Sequence, residues 1–291
     1  MNIFDDLTLI IVCYRSEELI KKNLNILKKF KVIIVDNSNS SKLETLVENI
    51  DNIKFIKSVK NLGYGRAVNL GVKYVNTSFI LIVSPDLILN EDSINELFNV
   101  FLNDKNNIGI LAPSLFNEKM QNTSHGSISY LEKLKGKKIS NSIGNVAEGN
   151  LCCRFLMGSC YLLKRDFFNS LGGFDVSFFM YFEDNDICDR SIEAGKYIME
   201  VPSSKFIHIG NSSTEQKKFT GTKLSIVHKI SSYIYLKKKI SIIFLIYHII
   251  KNFFDYTQRL IFNLLKFRFN KSYKNLLRLI SIFLYITSIY K

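Results

Sequence analysis

The sequence predicts an α/β fold: a mostly parallel central sheet flanked by helices, with a basic amphipathic helical appendage at the C-terminus. Three observations predict it. Up to about residue 115, short β-branched runs alternate with helical patterns, the signature of βαβ units. The 291 residues are 47% hydrophobic, too apolar for disorder and enough for one large domain plus an appendage. Residues 217–291 carry fifteen of the 39 Lys and Arg but only one of the 26 acids, Asp255, so the net charge of +13 belongs to the last quarter.

The elements follow in order. Strands are expected at 8–14, 31–36, 53–58, 79–84 and 109–113, where β-branched and aliphatic residues run without interruption, as strands buried on both faces do. Helices fit between them at 17–29, 42–49, 66–74 and 93–103. Ser16 before Glu17 and Glu18, and Asp92 with Ser93, supply helix-start chemistry. Residues 117–150 are rich in Asn, Ser, Gly and Lys without clear periodicity, and a polar insertion of that length reads as a functional loop or a mobile one. Order resumes with a strand at 155–163 and two short strands at 198–202 and 205–209.

The division is expected at residue 215, with 1–215 as the α/β domain and 216–291 as the tail. In the tail, the apolar runs 240–250 and 279–290 are shorter than the roughly 20 residues a membrane span needs. Lys and Arg recurring among Phe, Tyr, Leu and Ile suit helices lying on an anionic membrane surface. A helical pair docked on the α/β domain, its lysines merely solvated, is the alternative. The aliphatic content argues against nucleic acid as partner. Residues 1–6 carry acids rather than the lysines of a secretory signal. The five cysteines are odd in number and form no C-x-x-C pair, so reduced thiols in the cytosol are expected.

The most informative stretch runs from Gly172-Gly173-Phe174-Asp175 to Glu183-Asp184-Asn185-Asp186. It places acids beside aromatics, as a proton-accepting carboxylate in an apolar-walled cleft requires, although a salt-bridged surface turn would also do so. Asp36 ends a buried-looking strand at the carboxyl edge of the sheet, where open α/β folds bind ligands; it could equally cap its own turn through Asn37 and Ser38. Tyr14 would share that edge and offer a ring for a base. Asn61-Leu62-Gly63-Tyr64-Gly65-Arg66 precedes a helix and allows backbone and cation to approach phosphate, though it lacks a dinucleotide fingerprint. Ser84-Pro85-Asp86 ends the fourth strand with a carboxylate able to hold a divalent cation, or is an ordinary turn. His208 gains meaning as a ligand only if the fold returns it to Asp86.

In this order the pieces IIVCYRSEE, VIIVDNS, NLGYGRAVNLG, SPD, GSCYLLKRDFFNSLGGFD, FFMYFEDNDICDR and HIGNSS resemble glycosyltransferase family 2, with the GT-A nucleotide-diphospho-sugar transferase fold. The likeness runs from Thr8 to Ser213 and points to bacterial rhamnosyl- and galactofuranosyltransferase-type members. The resemblance implies an inverting enzyme that moves a sugar from a dTDP- or UDP-sugar donor to a hydroxyl of a cell-surface glycan or lipid-linked acceptor. It further implies that Tyr14, Asp36, Asn61, Gly63 and Arg66 hold the nucleotide, and that Asp86 and His208 hold Mn2+ or Mg2+. Asp184 would be the general base, with Gly158, Ser159, Gly173, Phe174, Asp175 and Glu183 near sugar or acceptor. A place in the cytoplasm, peripheral on the inner face of the cell membrane, goes with that assignment.

The chain departs from the family's pattern at two positions. Ser84 stands where the first acid of D-x-D is common, so the metal rests on fewer carboxylates. Asn211 stands where H-x-x-G-x-S has glycine. A sugar-nucleotide nucleotidyltransferase would instead carry a Gly-rich basic loop after the first strand, where this chain has CYRSEE. A catalytically weak membrane-bound assembly protein of the same fold is disfavoured by an intact Asp184, while Ser84 leaves it open.

Overall fold

The computed structural model describes residues 3–103, 107–124, 128–137, 149–210 and 219–289. The chain opens with α1 (Ile3–Asp6), β1 (Leu7–Cys13), α2 (Glu17–Leu27), β2 (Lys31–Asp36), α3 (Ser41–Val47), β3 (Ile53–Lys57), α4 (Tyr64–Val72) and β4 (Phe79–Val83). It continues with β5 (Leu87–Ile88), α5 (Glu91–Leu102), β6 (Ile108–Phe116), α6 (Tyr130–Leu134), β7 (Leu151–Cys152), β8 (Cys160–Lys164), α7 (Arg165–Ser170), α8 (Glu183–Glu193) and β9 (Tyr197–His208). Three helices close it: α9 (Phe219–Lys239), α10 (Ile242–Leu265) and α11 (Phe269–Ile289).

Among the described residues the nine strands form one sheet, in the order β3-β2-β1-β4-β8-β6-β9-β5, with β7 on β9. The first four strands are parallel. Beyond β4 the sheet becomes mixed, because β8 runs antiparallel to both β4 and β6 while β6 and β9 are parallel. Alternation along the strands builds two cores. Leu9, Ile11, Val32 and Ile34 face α2, α3 and α5, whose Ile20, Leu43 and Phe98 pack there. Ile10, Ile33, Ile80 and Ile82 face α4, α7 and α8 through Val68, Phe168 and Ile187. Every residue of β1 is buried, as a strand covered by helices on both faces must be. The parallel strands therefore end together, which sets Cys13, Asp36 and Val83 along one edge.

The structure redraws three expected elements. The strand expected at 155–163 begins only at Cys160, so Phe155 to Ser159 form a loop leading into β8. The two short strands expected at 198–202 and 205–209 merge into β9, whose register against β6 shifts between Pro113 and Ser114. Within the polar insertion, Ser129 and Glu132 close a capping box on α6. Asn211, the Ser212-Ser213 end of the last motif and the expected boundary at 215/216 lie outside the described residues.

The described residues fall into two compact units. One runs through Val176 and resumes from Glu183 through β9; the other joins Ser177–Phe182 to helices α9–α11. Within the second unit, Phe182 packs its ring 5.5 Å from Tyr235 and 5.2 Å from His228, and Ser231 Oγ donates to the Met180 carbonyl at 2.8 Å. Phe178 is fully buried under the Lys238 ammonium, 5.6 Å from its ring centre. Among the described residues, no helix is long and apolar enough to cross a membrane.

Candidate active site

At the carboxyl edge, Asp36 is fully buried and its carboxylate is committed to its own loop. One oxygen accepts from the Ser38 amide at 2.9 Å and the Ser38 hydroxyl at 2.5 Å, the other from the Ser40 amide at 3.0 Å. The turn-capping use of Asp36 is thus realised. Beside it, Asn37 donates to the Gly63 carbonyl at 3.0 Å, and Asn61 accepts from the Gly63 amide at 2.9 Å. Gly63 occupies the left-handed region (φ 81°) at the start of α4, a backbone that only glycine adopts without strain. Tyr14 is 38% exposed on the adjacent strand end, and the Arg15 guanidinium lies 5.6 Å from its ring.

The structure brings His208 to Asp86. Pairing of β5 with β9 sets Leu87 opposite His208, and the Ile209 amide donates to the Asp86 carbonyl at 3.0 Å. His208 Nε2 then lies 3.3 Å from Asp86 Oδ2, while Ser84 Oγ donates to Oδ1 at 2.5 Å. Burial alone would raise the Asp86 pKa, but hydrogen bonds from His208 and Ser84 outweigh it and hold the carboxyl below its usual range. Octahedral ligands at about 2.1 Å sit roughly 3 Å apart when adjacent, so this oxygen–nitrogen pair suits two positions of a divalent ion. Among the described residues no cluster of three His, Cys, Asp or Glu completes an all-protein cage. Ions of the Mg2+ type commonly take one or two protein ligands and complete their shell with substrate phosphates and water, so the donor set fits.

The second cluster is built where α8 begins. Asp184 is half-buried against Gly158, and a methyl group at position 158 would lie 3.1 Å from the Asp184 Cβ. Asn185 donates to Asp184 Oδ1 through its amide at 2.8 Å and its side chain at 3.1 Å. Desolvation by burial still raises the Asp184 pKa, against the lowering effect of these bonds. Glu183 is raised too, by burial and then by the charge of Asp184, and its Oε2 has no hydrogen-bond partner. The Ser159 hydroxyl is likewise buried and unpartnered. Tyr64 donates its hydroxyl to the Gly158 carbonyl at 2.9 Å and feels the charges of Glu183, Asp184 and Asp86. The Ser84 amide donates to the Ser159 carbonyl at 2.7 Å, so the Asp86 turn and the Asp184 cluster meet at Gly158-Ser159. Just ahead of Glu183, both Tyr181 and Phe182 have φ 69°, a backbone that side-chain-bearing residues adopt only when the surroundings hold it.

Other expected site residues lie elsewhere. Phe174 is in the core rather than a cleft wall, 1% exposed and packed against Phe168 and Tyr64. Gly173 (φ 71°) leaves no room for a side chain beside Asn69, whose side chain accepts from the Phe174 amide at 2.9 Å and donates to its carbonyl at 2.7 Å. The Gly172–Asp175 turn is thereby clasped to α4, with Asp175 half-buried after it. Arg66 also belongs to this clasp: Nε and Nη2 donate to the Val176 carbonyl at 2.8 and 2.5 Å. Asp186 is fully buried and paired with Arg190 at 2.7 Å. Sequence reasoning passed over Tyr64, though its place between Gly63 and Gly65 at a helix start was the available signal. A carboxylate raised above its ordinary pKa, a metal-suited pair and unpartnered polar atoms lie close enough to neutralise a leaving anion and accept a proton.

The Glycosyl transferase family 2 profile matches residues 8–172. A low-salt glycan biosynthesis hexosyltransferase from Haloferax volcanii is 30% identical over 232 residues, covering 75% of this chain and 71% of the relative. An N-acetylglucosaminyl-diphospho-decaprenol L-rhamnosyltransferase from Mycobacterium tuberculosis is 26% identical over 230 residues, covering 70% of this chain and 74% of the relative. Among solved structures, a mannosyltransferase from Pyrobaculum calidifontis, in complex with GDP-Man and Mn2+, superposes with a TM-score of 0.53 at 14% identity. It covers 80% of this chain, which spans 63% of that protein, just under two thirds.

Proposed function

Starting from the premise that the chain belongs to glycosyltransferase family 2 and has the GT-A fold, we propose an inverting transfer of a hexose from a dTDP- or UDP-sugar. The observation that carries this reading is the meeting of Asp184, Gly158-Ser159 and the Asp86–His208 pair along one seam. The acceptor hydroxyl gives its proton to Asp184 while its oxygen attacks the anomeric carbon. The bond to the diphosphate breaks on the opposite face, and the nucleoside diphosphate leaves with the bonding pair. Burial holds Asp184 above its ordinary pKa, which brings it closer to neutral pH as a proton acceptor. General-base help of this kind is worth about 10²–10⁴ in rate.

Asp86 and His208 would hold Mn2+ or Mg2+, which when bound supplies positive charge beside the leaving diphosphate. Tyr14 offers its exposed ring to the base, and the Asn61–Gly63 turn lets backbone approach the nucleotide. Asp36 fixes its own Ser38–Ser40 loop, its neighbour Asn37 holds the Gly63 carbonyl, and Arg66 sets the loop after the Gly172–Asp175 turn. Ser159 Oγ and Glu183 Oε2, both without partners, are available to sugar or acceptor hydroxyls. A glycan or lipid-linked acceptor accords with the relative that acts on a diphospho-decaprenol substrate, and with a basic tail held at the cytoplasmic face of an anionic membrane.

The test is Asp184→Asn. Donor affinity by calorimetry with UDP- and dTDP-sugars stays within a few-fold of wild type, while turnover falls by about 10²-fold or more. Turnover near wild type would remove Asp184 from the role of base.

A further inference from the structure

Helices α10 and α11 are inside out for a water-soluble bundle. On α10, Ile243, Tyr247, Ile250, Phe254, Ile261 and Leu265 recur at the helical repeat, and each is at least half exposed. The opposite face buries Leu245, Tyr256 and Asn263, and half-buries Asn252. On α11 the exposed stripe is Phe269, Tyr273, Leu276, Ile280 and Phe283, while Ser272, Asn275, Ser281 and Tyr285 are buried.

The interior they share with α9 buries Leu236, Leu245, Leu277 and Ile282 together with polar and aromatic residues. Asn252 Nδ2 donates to Tyr233 Oη at 3.3 Å, Tyr285 Oη donates to the Tyr233 carbonyl at 3.4 Å, and the Tyr233 and Tyr285 rings lie 5.2 Å apart. Asn263, Asn275 and Ser281 satisfy themselves on carbonyls of their own helices. Small and polar residues between helices with aliphatic residues outside is the arrangement of helices whose solvent is lipid. An exposed apolar face of this extent marks an interaction surface.

We propose that α10 and α11 lie in the plane of an anionic bilayer, their outward stripes among the acyl chains. Lys251, Arg259, Lys266, Arg268, Lys271 and Lys274, all exposed around the same helices, face lipid phosphates. Charge decides the occupant. A second copy meeting this face symmetrically would set like charge against like, with one acid among fifteen bases in 217–291. Anionic lipid complements that charge, and its acyl chains accept the stripes. The inference deepens the reading of the tail as membrane-associating: attachment is by insertion as well as by charge, and it is independent of the catalytic assignment.

The experiment is flotation of the full chain with vesicles of phosphatidylcholine plus phosphatidylglycerol, at low salt and at about 1 M NaCl, where charges are screened within ~3 Å. Wild type stays bound at high salt. The triple variant Ile250→Ser, Phe254→Ser, Ile261→Ser loses about tenfold or more of its vesicle partition at both salts. Its circular dichroism and melting temperature stay as in wild type, because these side chains are exposed. A second variant, Lys266→Gln with Lys271→Gln and Lys274→Gln, lowers only the low-salt binding. Undiminished binding of the serine variant overturns the proposal. So does light scattering that shows a wild-type dimer, dissolved by the serine substitutions, with no vesicle binding. Donor hydrolysis on the same preparations separates the two readings: wild type that floats without hydrolysing any donor defeats the catalytic reading and leaves this one standing.

Discussion

Gly158 is the position at which a single methyl group tests the site. A Cβ there would sit 3.1 Å from the Asp184 Cβ, so Gly158→Ala should displace the carboxylate by a few tenths of an ångström. We expect kcat to drop by about tenfold or more with little change in donor affinity, measured by single-turnover transfer. The neighbouring carboxyls of Glu183 and Asp184 give a pH prediction. Both carboxyls are raised by burial, so the folded protein holds their protons longer than the unfolded chain. Their effect on stability is neutral below the unfolded pKa and becomes a loss as pH rises through the interval up to the folded pKa. Glu183→Gln should therefore flatten the fall of melting temperature with rising pH above about 4.5, the region where unfolded Glu ionises. A fall as steep as in wild type would mean Glu183 is not the group responsible. Tyr64→Phe removes the bond to the Gly158 carbonyl and should cost about 0.5–1.5 kcal/mol in urea denaturation.

The elements hold the site by giving up regular structure where it is needed. β8 starts at Cys160 rather than 155 because its pairing with β4 runs out there: the Ser159 carbonyl accepts from Ser84 just past the end of β4, and the Gly158 carbonyl accepts from the Tyr64 hydroxyl. Apolar composition alone extended that strand in the sequence reading, since Phe155 and Leu156 look like strand residues. The Gly172–Asp175 turn looked like part of an acceptor cleft and is a clasp, fastened by Asn69 at both ends of Phe174. Gly173→Ala puts a methyl 2.6 Å from Asn69 Oδ1 at φ 71° and should destabilise by about 1–3 kcal/mol in thermal melts. Asp36 likewise works first on its own turn, which follows from both oxygens being spent there.

Across the whole molecule, the second unit cannot be cut away cleanly at 215/216. Phe182 is buried in part by Tyr235, and Ser231 ties Met180 to α9, so a chain ending at 215 would lose partners of the Ser177–Phe182 segment. We expect that truncation to lower solubility and melting temperature. Surface substitutions on α10 are therefore the sounder probe of the tail. The sequence by itself determined the alternation of strands and helices, the two-sided burial of β1, β2 and β4, the segregation of charge, and the order of motifs that places the chain in its family. These are local properties of period, composition and spacing, and they read along the chain. Only the tertiary structure decided which distant residues meet: His208 with Asp86 through the β5–β9 pairing, Asp184 with Gly158, and Tyr64 between them. It also decided which face of α10 looks outward. Sheet order and side-chain direction set those meetings, and no local pattern encodes them, because a hydrophobic repeat fixes that a face is apolar without fixing what covers it.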